Sequence, residues 1–188
     1  TTNNPILSYG FSASIEYLSV RITALPDGYF MDQAVYCQDL LQKCGMAECR
    51  ALGSLEDVNE QIEEPDEPEL EDVRKAQRLA GSLNWLATRT RPDISYIVSQ
   101  LASAATKQPL RAVALGKRAL RYLAGTRDHG IAMRADGDAQ SRTHHSERSG
   151  GDPVLECFGD ASYEEGYAHT GVVTKLYGMT VCLESTKQ

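Results

Sequence analysis

Several features that would narrow the function quickly are scarce or missing in this 188-residue sequence. No apolar run approaches the length needed to span a bilayer, and Thr1-Thr-Asn-Asn-Pro5 has no signal-peptide architecture, so no membrane role is expected. The five cysteines (37, 44, 49, 157 and 182) are odd in number and contain no Cys-x-x-Cys. That excludes a disulfide frame or a zinc site and points to reduced thiols in an intracellular compartment. His144-His145 has no Cys or His at ligand spacing, so both read as surface residues. There is one tryptophan, Trp85, expected in the core. There is no starting Met, and the chain reads as a piece of something longer.

The charge is ordinary in amount and unusual in placement. The net charge is −7, yet from Arg74 to Arg127 eleven basic residues face one acid, Asp93. Immediately before this block, ten acids and no base lie between Glu56 and Asp72, with Pro65 and Pro68 interrupting any helix. Such a run reads as a solvated loop, or more sharply as a cover for the basic block when no nucleic acid is bound. A basic block inside an acidic chain is what a polyanion-binding surface looks like from sequence.

Periodicity organises the rest. Ile15 to Thr23 reads as a strand, Pro26-Asp27-Gly28 as a turn, and Tyr29-Phe30-Met31 as the returning strand of a hairpin. Asp32 is placed to cap a helix with apolar positions Val35, Leu40 and Leu41, ending at Gly45. Three helices follow. The first, from near Glu71, carries the stripe Leu79, Leu83 and Leu86, with Gly81 expected where another backbone packs. The second starts at Pro92 and buries Ile94, Ile97, Val98, Leu101 and Ala105. The third, Leu110 to Ala124, sets Val113, Gly116, Ala119, Leu120 and Leu123 against Arg111, Lys117, Arg118 and Arg121, with Tyr122 among the bases. Gly130 to Pro153 reads as a linker, and beyond it the pattern turns to strands, with a hairpin at Gly178. The expected class is α+β: a β-hairpin, a helical bundle, then the first antiparallel strands of another sheet.

Four motifs in order carry a family resemblance. They are Arg78-Leu-x-Gly81-Ser82-Leu83-x-Trp85-Leu86 with Thr90-Arg91-Pro92-Asp93-Ile94-Ser95; Ala119-Leu120-Arg121-Tyr122-Leu123-x-Gly125-Thr126; Tyr17-Leu18 with Asp27-Gly28-Tyr29-Phe30-Met31 and the helix to Met46; and Phe158-Gly159-Asp160-Ala161 with Ser185-Thr-Lys187-Gln188. Together they resemble the polymerase–RNase H region of copia-type (Pseudoviridae) retrotransposon Pol polyproteins. The resemblance implies that 1–32 is the trailing edge of a polymerase palm with a primer-grip-like hairpin, and 33–130 a thumb and connection containing the acidic loop 56–72. It implies that 131–153 is a linker and 154–188 the opening of an RNase H-like domain. It also implies a template–primer duplex or RNA–DNA hybrid and the rest of the polyprotein as partners. The expected location is intracellular, in cytoplasm, virus-like particle or nucleus. Arg74, Lys75, Arg78, Arg89, Arg91, Arg111, Lys117, Arg118, Arg121 and Tyr122 become the candidate nucleic-acid contacts.

Reverse transcription and RNase H cleavage use Mg2+ held by several carboxylates, because one side chain does not hold two hard cations. Asp160 matches the first RNase H carboxylate and is the one candidate catalytic and metal-binding residue. The following family Asp is Ser162 here, Glu164 and Glu165 fall at an expected turn, and the polymerase Asp pair would precede Thr1. The expectation is that this chain alone has neither active site and binds no Mg2+ tightly. Competing readings are a non-catalytic nucleic-acid-binding module and an inert or protein-binding remnant of a decayed element.

Overall fold

The structure is a computed structural model that describes residues 13–55, 62–134, 155–164, 167–176 and 179–187. The N-terminal sheet contains β1 (Ser14–Tyr17), β2 (Val20–Leu25) and β3 (Gly28–Asp32), joined later by β4 (Gly130–Arg134) in the order β1-β2-β3-β4, all antiparallel. The expected hairpin is β2–β3, turning at Pro26-Asp27. The expected single strand from Ile15 to Thr23 is instead two. Leu18 and Ser19 both have positive φ (49° and 61°), which folds β1 back onto β2. Strand propensity of Leu18 had masked a two-residue turn that requires left-handed backbone. Strand β4 lies inside the stretch read as a linker; residues 135–154, including the histidine pair, are outside the described residues.

Asp32 ends β3 and is buried. Its carboxylate accepts two hydrogen bonds from Arg21 across the hairpin, both 2.9 Å, and one from the backbone N–H of Ala34 at 3.0 Å. The N-cap of α1 (Ala34–Lys43) is Gln33 and not the expected Asp32, which from the preceding position bonds the first helical N–H while also closing an ion pair. The apolar face of α1 is Cys37, Leu40 and Leu41; Val35, expected to pack, is 56% exposed. Gly45, with φ 66°, follows the helix end.

The core is a bundle of α2 (Leu70–Ala87), α3 (Ser95–Ala104, preceded by a 3-10 turn at Pro92–Ile94) and α4 (Pro109–Gly125), with α1 against α4. The expected stripes pack as the spacing requires. Leu83, Leu86, Ile94, Leu101 and Leu123 have no exposed surface, and burying each such side chain is worth about 1.5–3 kcal/mol. Close packing at glycine occurs at Gly116, not at Gly81. A Cβ at Gly116 would run into the Leu79 side chain, with Leu101 just behind it. The second sheet, β5 (Leu155–Glu164), β6 (Tyr167–Leu176) and β7 (Met179–Lys187), is an antiparallel meander that meets the bundle along α3 and β7. The turn at Gly178 lies outside the described residues. The class is α+β, helices with two antiparallel sheets.

Candidate nucleic-acid interface

Helix α2 faces the core with Ala76, Leu79, Leu83, Leu86 and Ala87. Steps of about 100° per residue put Arg74, Arg78, Gly81 and Trp85 in one narrow sector on the opposite side, a row roughly 16 Å long, with Arg89 extending it. Arg74, Arg78, Gly81 and Arg89 are exposed, as is Lys75 at the edge of the row. Trp85, expected in the core, is half-buried in this outer row, and the Arg89 guanidinium sits over its ring at 4.7 Å from the centroid. That cation–π contact holds the indole and the charge side by side. Arg78 Nε donates to the Arg74 carbonyl at 3.3 Å, which lays its side chain along the helix.

Gly81 stands in the middle of this row with nothing within 4 Å of where a Cβ would lie. A glycine inside a helix costs about 1 kcal/mol relative to alanine, and nothing in this fold requires one here. The row is thus low at its centre, basic at both ends and aromatic beside the gap. A backbone of another molecule can approach such a surface closely.

Helix α4 buries the expected face, Val113, Gly116, Ala119, Leu120 and Leu123. Its basic side is partly covered by the chain's own segments. Arg121 donates from Nε to the Arg50 carbonyl at 2.9 Å, and the Arg121 carbonyl accepts from the Leu52 N–H at 3.0 Å. Arg118 is half-buried, its Nε enclosed with no hydrogen-bond partner among the described residues. At the N-terminus of α4, Glu64 accepts from the N–H groups of Arg111 (2.6 Å) and Leu110 (3.3 Å), so one acid of the 56–72 run caps the helix it was expected to screen. Arg111 and Lys117 remain exposed.

Arg91 is not on a surface at all. It is 2% exposed, and its guanidinium makes four hydrogen bonds: to Asp93 Oδ1 (2.9 Å) and Oδ2 (2.7 Å), and to the carbonyl and hydroxyl of Thr126 (2.7 Å each). Tyr122 closes the cluster, donating its hydroxyl to Asp93 Oδ2 at 2.9 Å, with its ring 5.5 Å from the guanidinium carbon. Burial alone would push the Asp93 carboxyl up, but the bonds and charge of Arg91 win and hold it below the usual range. Burial and then the Asp93 bond raise the Tyr122 phenol. The neighbouring Thr90 is buried too and donates to Gln33 Oε1 at 2.9 Å. The Thr90-Arg91-Pro92-Asp93 motif is therefore a clasp that fastens the α2–α3 corner to the end of α4 and the start of α1. Arg91 and Tyr122, grouped from sequence with the nucleic-acid contacts, have their polar atoms turned onto this clasp.

Asp160 is exposed on β5, an edge strand of the three-stranded sheet, opposite Gly171, with Oδ1 accepting from the Ala161 N–H at 2.9 Å. Among the described residues no group of three or more His, Cys, Asp or Glu side chains is placed to hold a metal ion. A lone carboxylate does not fit a two-metal site. Among the described residues no helix is long and apolar enough to cross a membrane.

No family model matches the sequence, and no solved structure matches it. Curated relatives do. An uncharacterized mitochondrial protein of Arabidopsis thaliana, AtMg00810, is 32% identical over 117 residues, covering 61% of this chain and 47% of that protein. The retrovirus-related Pol polyprotein from transposon RE1 of the same plant is 33% identical over 121 residues, 63% of this chain and 8% of the polyprotein. The putative transposon Ty5-1 protein YCL074W of Saccharomyces cerevisiae is 34% identical over 130 residues, 66% of this chain and 37% of that protein. The chain thus spans less than half the length of these relatives. Over the matched residues its homologues are copia-type retrotransposon Pol polyproteins, a similarity that supports a transposon-derived polyprotein region.

Proposed function

We propose that this region is the thumb-like, duplex-holding part of a copia-type reverse transcriptase, followed by the first strands of an RNase H-like domain. The observation that carries the reading is the outer row of α2: Arg74, Arg78, open Gly81, half-buried Trp85 and Arg89. Arginines at both ends supply phosphate contacts that position a nucleic acid without reading its sequence. The glycine lets a sugar–phosphate backbone come close, and the indole offers a flat apolar surface against sugars or bases. A polymerase must hold every sequence it copies, and such a surface is indifferent to sequence. Exposed Lys75, Arg111 and Lys117 extend the positive potential.

The chain on this reading binds without cutting. Asp160 would contribute one carboxylate to an RNase H site, with Mg2+ and the remaining acids supplied by the complete enzyme. The test is binding of an RNA–DNA hybrid to the chain over a range of salt. Binding should weaken steeply as salt rises, and replacing Arg74, Arg78 and Arg89 by Ala should weaken it further and flatten the dependence. A remnant without nucleic-acid function predicts no binding at any salt, and that result would end the proposal.

A further inference from the structure

A cleft of about 400 Å³ opens where the bundle meets the second sheet, between the C-terminal turn of α2, helix α3 and strand β7. That volume lies within the range of ligand sites. Six hydroxyls line it: Thr88 at the end of α2, Ser95, Ser99 and Ser103 along α3, and Ser185 and Thr186 on β7. Asn84 adds an amide, and Glu184 adds a carboxylate. Among the described residues no Arg, Lys or aromatic side chain lines it. Ala87 and Val98 are buried at its floor, while Thr88, Ser103, Glu184 and Thr186 form an exposed rim. Three of the hydroxyl hydrogens are already committed. Thr88 Oγ1 donates to the Asn84 carbonyl at 2.8 Å, Ser103 Oγ to the Ser99 carbonyl at 2.9 Å, and Thr186 Oγ1 to Glu184 Oε1 at 3.1 Å. A hydroxyl has one hydrogen and two lone pairs, so these oxygens, like the carboxylate, can only accept from a ligand. The rim is therefore rich in acceptors and negatively charged. It suits a group that donates hydrogen bonds and rejects a phosphodiester, which only accepts them.

We infer that this cleft takes the sugar edge of an RNA strand and accepts hydrogen bonds from ribose 2′-hydroxyls, so that the RNA strand of a hybrid is told from DNA. The inference rests on reading the outer row of α2 as a nucleic-acid surface, and two observations choose the ligand. Asn84 and Thr88 stand one position before Trp85 and Arg89, so the cleft borders the end of the row where the indole and the Arg89 guanidinium meet. A strand held by its phosphates on the arginines has its sugars within reach of the adjoining cleft. Arg89, beside the rim, also works against an ammonium or other cationic donor, while a neutral hydroxyl meets no such repulsion. The 2′-hydroxyl both donates and accepts, and it is the group that DNA lacks. Its hydrogen suits the rim oxygens, and the Asn84 amide can return a hydrogen bond to it. The α2 row is blind to this difference, because both kinds of strand carry the same phosphates.

The test measures binding of the 188-residue chain to three duplexes of one sequence at one salt concentration. They are an RNA–DNA hybrid, the same hybrid with fluorine in place of each 2′-hydroxyl, and DNA. Fluorine keeps the A-form helix but donates no hydrogen, so shape and donor are separated. The natural hybrid should bind roughly three- to tenfold tighter than the other two, the worth of one or two hydrogen bonds. Thr88→Val with Glu184→Gln should abolish that preference; Ser99→Ala with Ser103→Ala serves if the urea midpoint shows the first pair to be unfolded. Equal binding of the natural and fluorinated hybrids, or a preference that survives these substitutions in a folded chain, would overturn the cleft and leave the α2 row standing. No binding of any duplex would overturn the row, and the cleft with it.

Discussion

Replacing Arg91 by alanine separates two roles that one arginine in a basic block can have. The structure gives it a mechanical one. The change removes four hydrogen bonds of 2.7–2.9 Å and leaves Asp93 charged without its partner and the Thr126 carbonyl without its donor. Removing one member of a buried ion pair typically costs about 3–5 kcal/mol. Asp93 keeps 34% of its side chain in solvent, so water takes up part of its charge and the lower end, about 3 kcal/mol, is expected. In a chain of this size that corresponds to a fall in Tm of roughly 6–12 °C. Urea denaturation followed by fluorescence of Trp85, the single tryptophan, measures the loss directly. Arg91→Lys should recover little of it, since an ammonium cannot bridge a carboxylate and a carbonyl in the same fork. Below the denaturation range, the variant should hold an RNA–DNA hybrid as the parent does. A normal urea midpoint combined with lost hybrid affinity would refute the clasp and return Arg91 to the nucleic-acid contacts.

The remaining predictions follow from the same geometry. Gly81→Ala should stabilise the chain by about 1 kcal/mol in urea, because a Cβ there meets nothing, yet weaken hybrid binding. Gly116→Ala should do the reverse for stability, its methyl striking Leu79. Glu64→Ala should cost roughly 0.5–1 kcal/mol and speed amide exchange at Leu110 and Arg111, whose N–H groups it accepts from. Asp93 has a depressed folded-state pKa, so its contribution to stability is complete above the ordinary carboxylate pKa and is lost as pH falls through the lower folded value. Urea midpoints should drop below about pH 4 in the parent chain and less so in Asp93→Asn. Burial raises the Cys37 thiol to about 11, so a thiol reagent at pH 8 should leave it unmodified until the chain unfolds, while exposed Cys157 and Cys182 react.

Helix positions and the buried stripes of the bundle were legible because a 3.6-residue period repeats through α2, α3 and α4 and is read locally. The turn at Leu18-Ser19 was not, since neither residue advertises positive φ. The roles of the bases were only half legible. Periodicity set Arg111, Lys117, Arg118 and Arg121 opposite the core of α4, but nothing local shows that residues 50–52 run across Arg121 or that Glu64 meets the helix start. Arg91 was grouped with the surface bases because charge counts ignore burial. Its clue was the Arg-x-Asp spacing at a helix corner, yet Tyr122 and Thr126, which complete the clasp, lie some thirty residues away in sequence. The α2 row was hidden differently. Its members were each visible, but Trp85 read as core and Gly81 as a packing glycine, and only their shared outward sector shows what they have in common. The four-strand order of the first sheet was not legible either, because β4 falls in a stretch that reads as a linker.

The most direct test of the central claim is the slope of hybrid affinity against salt for the parent chain and for Arg74→Ala with Arg78→Ala and Arg89→Ala. The account predicts a linear log–log fall in affinity with salt, with the slope reduced by about one for each arginine removed. An unchanged slope and affinity in a triple variant with the parent's urea midpoint would contradict it.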